Sequence, residues 1–237
     1  MRESERDVML FLLAISAGSA DGWSYFGLGH AFVANMTGNT VLAGMGVFQK
    51  GGHVAHPLLS LACYAIGVAA AAFFTRKVRQ GVVWARAITR TLLLEALIMV
   101  SAAVAWIAIR HGLPADSAYL FTALLGCVAF AIGLQSGAML QLKIPGVVTT
   151  YITGTWTTLV NGLVYFVTSR DPRVSRPRHH HAFDERLAMQ AGILAVYFLS
   201  AVLTGWLFRN EPSAVGGLSA FSILTVAVYT TVRSKLA

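Results

Sequence analysis

The chain has 237 residues, 56% of them hydrophobic and only 12% charged, with a mean hydropathy of +0.65. Soluble domains carry about 25% charged residues, so this chain has too little polar surface to cover a water-facing fold. A soluble enzyme, a secreted disulfide scaffold and a disordered regulator are excluded, and the formal charge of +8 reads as loop charge that orients membrane helices.

At the start, Arg2 and Arg6 precede an apolar run that begins at Val8. Glu3, Glu5 and Asp7 spoil the positive region a signal peptide needs, so no cleavage is expected. Runs long enough to cross hydrocarbon predict six membrane helices, over 8–31, 57–75, 88–109, 117–140, 187–208 and 214–232. Two further apolar segments, 37–49 and 149–168, are too short or too polar for comfortable spans and are rich in Gly, Thr and Asn. Cys63 and Cys127 sit inside apolar runs as small hydrophobes, and no spacing suggests a metal or cofactor site.

Positive charge decides what the short segments do. If both re-enter on the side they left, with the N-terminus inside, fifteen of the eighteen Lys and Arg residues are cytoplasmic and three are outside. If both cross, with the N-terminus outside, seven are cytoplasmic and eleven are not. The cytoplasmic preference of Lys and Arg selects re-entry, with both termini in the cytoplasm.

An internal repeat follows the same division. Gly18, Asp21 and Gly22 precede Met36-Thr37-Gly38-Asn39-Thr40, and Gly133, Gln135 and Gly137 precede Ile152-Thr153-Gly154-Thr155 at nearly the same distance. The two Thr-Gly pairs stand 116 residues apart. The expected fold is therefore an all-α polytopic membrane protein of two inverted repeats, 1–114 and 115–237, each with three spans and one broken half-helix. Inverted repeats with interrupted helices mark transporters whose site lies near the midplane.

Broken helices survive in hydrocarbon only when buried in protein or lining a wet cavity. Asp21, Asn35, Thr37, Gly38, Asn39, Gln135, Tyr151, Thr153, Gly154 and Thr155 are accordingly the expected solute-binding residues. Gly permits the turn, Thr and Asn cap the following half-helix, and the N–H groups of two facing ends favour an anion or an acceptor-rich neutral solute. The same residues also meet a purely structural demand, capping the turns and packing small interfaces. Asp21 costs about 2.5–3.5 kcal/mol at mid-membrane. It either has a role such as proton coupling, cation contact or a hydrogen bond to the opposite break, or sits near the helix end and sees water. Glu95 either serves a function or snorkels toward Arg90 and the basic loop. His30 reads as a hydrogen-bonded interface residue ahead of a gate, and His179, His180 and His181 as part of a basic loop near anionic headgroups ahead of a metal site. No hydrolase, metalloprotease or phosphate-loop pattern is present, so no enzyme activity is expected.

The stretches Asp21-Gly22, Phe32-Val33-Ala34-Asn35-Met36-Thr37-Gly38-Asn39-Thr40, Gly133-Leu134-Gln135 and Thr149-Thr150-Tyr151-Ile152-Thr153-Gly154-Thr155 carry a resemblance. Over nearly its whole length the chain resembles the YoaK-like bacterial inner-membrane proteins, long filed as a domain of unknown function. The resemblance implies an inner-membrane location and a multi-pass architecture, and no substrate. The expected partners are membrane lipids and an unidentified small solute, with room for a homo-oligomer and none for nucleic acid. A transporter or channel is the leading expectation. The alternative is a non-transporting membrane protein that binds a partner or assists assembly through its basic loops.

Overall fold

The computed structural model describes residues 3–48, 54–78, 84–112, 117–142, 152–168 and 180–236. Every regular element among them is helical: α1 (Glu3–Gly27), α2 (Met36–Gly46), α3 (Ala55–Thr75), α4 (Arg86–Arg110), α5 (Ser117–Leu140), α6 (Ile152–Thr168), α7 (His180–Asn210) and α8 (Gly217–Leu236), with a 3-10 turn at Pro212–Ala214. Five segments are long and apolar enough to cross a membrane: Ala55–Thr75, Arg86–Arg110, Tyr119–Leu140, Glu185–Asn210 and Pro212–Ser234. α1 is equally long at 25 residues, but Ser16, Ser19, Asp21 and Ser24 lower its hydropathy and it is not one of the five.

The reason is its position. α1 packs against α7, α8 and α5, and Leu10, Leu13, Ala14, Ala17, Ala20 and Trp23 are fully enclosed. A helix shielded by other helices tolerates hydroxyls and an acid that a lipid-facing helix would not. Outward faces are apolar instead, with Leu97, Val104, Phe198, Leu199 and Phe221 all exposed. Contiguous exposed apolar surface of this kind fits contact with hydrocarbon.

Small residues set two close helix pairs. Gly18 and Gly22 of α1 lie against Tyr197, Ser200 and Thr204 of α7; a Cβ on Gly18 would stand 2.6 Å from the Tyr197 carbonyl oxygen. Gly133 and Gly137 of α5 lie against Tyr64, Gly67, Val68 and Ala71 of α3, and a Cβ on Gly137 would meet Ala71 Cβ at 2.7 Å. Without side-chain bulk the backbones approach closely, which is how membrane helices gain packing where no hydrophobic drive separates protein from lipid.

Several boundaries moved. The first helix stops at Gly27 instead of continuing to residue 31, because the chain turns through positive φ at Gly29 (112°) and His30 (55°). Gly29 also faces the His56 ring, leaving no room for a Cβ. α7 begins before its apolar run, since polar residues such as Glu185 and Arg186 continue the helix outside the hydrophobic stretch. The two short segments are helices, α2 with 11 residues and α6 with 17. At 1.5 Å per residue α2 is about 16 Å long, roughly half the hydrocarbon thickness.

Candidate functional site

After the turn at Gly29 and His30, residues 31–35 run without helical bonds toward the start of α2. Their backbone donors need partners, because nothing in a bilayer interior would supply them. Asp21 supplies them. Its Oδ1 accepts the N–H of Val33 at 2.8 Å, of Ala34 at 2.7 Å and of Asn35 at 3.4 Å. Its Oδ2 accepts the Tyr197 hydroxyl of α7. One buried carboxylate therefore ties the break to two helices.

Asn39 completes the scaffold from inside α2. Its Nδ2 donates to the Phe32 carbonyl at 2.6 Å while its Oδ1 accepts the Phe32 N–H at 2.8 Å. The Ser60 hydroxyl of α3 donates to the same carbonyl, and Phe32 stacks on Tyr25 at 5.0 Å. Asn35 caps α2, its Oδ1 accepting the Gly38 N–H at 3.0 Å. α6 opens at Ile152, and the Thr157 and Thr158 hydroxyls donate back to the Thr153 and Gly154 carbonyls. Gln190 Nε2 of α7 donates to Thr158 at 3.1 Å, fixing α6 to its neighbour.

The starts of α2 and α6 share one cavity of about 340 Å³. The first contributes Ala34, Asn35, Met36 and Thr37; the second contributes Ile152 and Thr153; Tyr64 of α3 and Tyr197 of α7 complete the wall. No acidic or basic side chain lines it among the described residues, since Asp21 stands behind Tyr197. Four polar groups on the wall make no hydrogen bond within the described chain: Asn35 Nδ2 and the hydroxyls of Thr37, Tyr64 and Thr153. All four can donate, and the first turns of α2 and α6 open onto the same space. Such a wall suits a ligand rich in acceptors.

Of the ten residues singled out in the sequence, the cavity gathers Asn35, Thr37 and Thr153 on its wall. Asp21, Gly38 and Asn39 support that wall from behind or beneath. Thr155 is buried in α6 and Gly154 lies beside it. Gln135 is elsewhere, buried in α5, with its Nε2 donating to the Leu13 carbonyl of α1 at 3.1 Å. Tyr151 lies outside the described residues, as does His179; His180 and His181 open α7.

Tyr64 and Tyr197 escaped the sequence reading. Each is a phenol in the middle of an apolar run, away from the interfacial belt where membrane tyrosines gather, and that misplacement was the available signal. Glu95 also differs from expectation: it is fully buried in α4, neither snorkels nor pairs with an arginine, and its two oxygens have no hydrogen-bond partner among the described residues. The described residues hold no group of three His, Cys, Asp or Glu side chains arranged for a metal.

Comparison with known proteins gives a family and no activity. A family profile described as "Protein of unknown function (DUF1275)" matches residues 9–230. The chain is 32% identical over 166 residues to the UPF0700 transmembrane protein YoaK of Bacillus subtilis (strain 168), covering 68% of this chain and 70% of the relative. No solved structure matches.

Proposed function

The chain belongs to the DUF1275 family of multi-pass membrane proteins of unknown function, and on that footing we propose that it passes a small solute across the bilayer through the cavity between its two helix breaks. The observation that carries this reading is the cavity wall itself, where Asn35 and Thr37 meet Thr153 between two tyrosines. In this reading α1 is a sixth span, shielded from lipid, and residues 1–114 and 115–237 are inverted copies.

Packing supports the duplication. Shifting α1 onto α5 by 115 residues carries Gly18 and Gly22 onto Gly133 and Gly137. Shifting α3 onto α7 by 133 residues carries Tyr64, Gly67 and Ala71 onto Tyr197, Ser200 and Thr204. These are the residues in contact in the two helix pairs, α1 on α7 and α5 on α3. Two further contacts also exchange: α4 on α5 with α8 on α1, and α2 on α3 with α6 on α7. Two half-helices whose first turns open on one cavity are the arrangement in which discontinuous helices bind solute.

The donor-rich, uncharged wall favours a small neutral solute or a monovalent anion, since free hydroxyl and amide donors answer acceptors without the grip of a cationic side chain. Light scattering from proteoliposomes challenged in turn with urea, glycerol, formate and nitrate tests this. At least one solute should enter faster than in protein-free vesicles, and Thr37→Trp or Thr153→Trp, which fill the cavity, should remove most of that flux. Entry at the protein-free rate for all four, or flux untouched by both substitutions, would sink the proposal and leave the partner-binding reading in its place.

A further inference from the structure

A second cavity lies between the start of α4 and the end of α8. It encloses about 370 Å³ and is lined by Arg86, Thr89, Arg90 and Leu93 of α4 with Thr231 and Ser234 of α8. Arg233 of α8 pairs with Glu5 of α1 beside it, so the start of α1 belongs to the same end of the molecule. Two guanidinium groups one turn apart repel each other across a helix face. Here no carboxylate relieves them, because no acid lines the cavity, Glu5 is engaged by Arg233 and Asp7 by Arg6. Arg86 reaches only the Ser234 carbonyl, at 3.4 Å, and Arg90 makes no hydrogen bond or ion pair within the described residues.

The surface leading away from this basic mouth is apolar on both sides. On α4, Leu93, Leu97 and Val104 continue the stripe that begins with Arg86 and Arg90; on α8, Val228, Leu224 and Phe221 run beside it, and all six are exposed. A soluble anion would use the arginines alone and leave the stripes to bulk lipid. A molecule with an anionic head and long hydrocarbon chains uses both, with the head between the guanidinium groups and a chain along each rail.

We infer that the groove between α4 and α8 is a binding site for one anionic phospholipid, its phosphate held by Arg86 and Arg90 and its acyl chains laid along the two apolar stripes. Nothing in this assignment depends on solute passage through the central cavity. The site also closes a seam, because a lipid seated there bridges α4 and α8 at the end where Arg86 already reaches across.

The experiment is a thermal melt of the purified chain in an uncharged detergent. Mixed micelles carry phosphatidylglycerol or phosphatidylcholine at equal mole fraction, and a third sample receives inorganic phosphate alone. Phosphatidylglycerol should raise Tm by roughly 2–4 °C over phosphatidylcholine, and phosphate should not. The double variant Arg86→Gln, Arg90→Gln should lose that difference, while Arg76→Gln, at the end of α3 and stacked on Phe73, should keep it. Thr231→Trp, which fills the groove and leaves both arginines, should lose it as well and serves if the double variant does not fold. Equal shifts from the two lipids would overturn the assignment, as would a phosphatidylglycerol effect that survives Thr231→Trp. A matching shift from inorganic phosphate would reassign the arginines to a soluble anion and refute the lipid.

Discussion

Asp21 shows how a single side chain reconciles a broken helix with a bilayer. It takes three backbone donors and one phenol, so its substitutions should separate by which of these they orphan. Asp21→Ala strands buried N–H groups and should cost roughly 3 kcal/mol or more. Tyr197→Phe removes one interhelical hydrogen bond and should cost about 0.6–1.7 kcal/mol. Melting both variants in detergent checks the order; equal losses would mean that the carboxylate does not hold the break. Glu95 presents the opposite case, a buried carboxyl with no partner among the described residues. Replacing it by Met, of similar length, should raise stability by about 1–3 kcal/mol, because an unsatisfied polar group is removed without opening a void. A lower melting temperature would show that Glu95 makes bonds essential to the fold.

Helix packing tells a similar story one level up. Gly67 of α3 approaches Gly133 and the Phe130 carbonyl so closely that a Cβ has nowhere to go, whereas Gly44 of α2 faces open space. Gly67→Ala should therefore destabilise by about 1–3 kcal/mol, and Gly44→Ala should stabilise by about 0.5–1 kcal/mol by restricting the unfolded chain and favouring helix. Thermal unfolding of the pair separates contact from propensity, and a neutral Gly67→Ala would deny the close approach. Much at this scale was legible beforehand. Long apolar runs announced α3, α4, α5, α7 and α8, and the Thr-Gly pairs announced α2 and α6. What stayed hidden was long-range: no local signal says that Asp21 will meet Ala34, or that Tyr64 and Tyr197 will face one space. The end of α1 at Gly27 was missed because Leu28 and Ala31 extend the apolar run, while the chain turns through positive φ at Gly29 and His30.

For the whole molecule the expected arrangement has Arg76–Arg90 and the basic stretch after α6 on the same side of the membrane. Single cysteines placed at Val82 and Val174, in a chain whose Cys63 and Cys127 are replaced by Ala, should both react with an impermeant maleimide from the cytoplasmic face of sealed vesicles. Reaction from opposite faces would mean that α6 crosses fully and that the halves are not inverted. The two glycine-lined pairs carry a mechanical consequence. α1 with α7, and α3 with α5, are joined backbone to backbone, so each pair resists shear far better than surfaces held by long side chains. Deformation then concentrates in the seam between the pairs. Tyr64 rides on one pair and Tyr197 on the other, so whatever sits between those phenols touches both bodies across the seam.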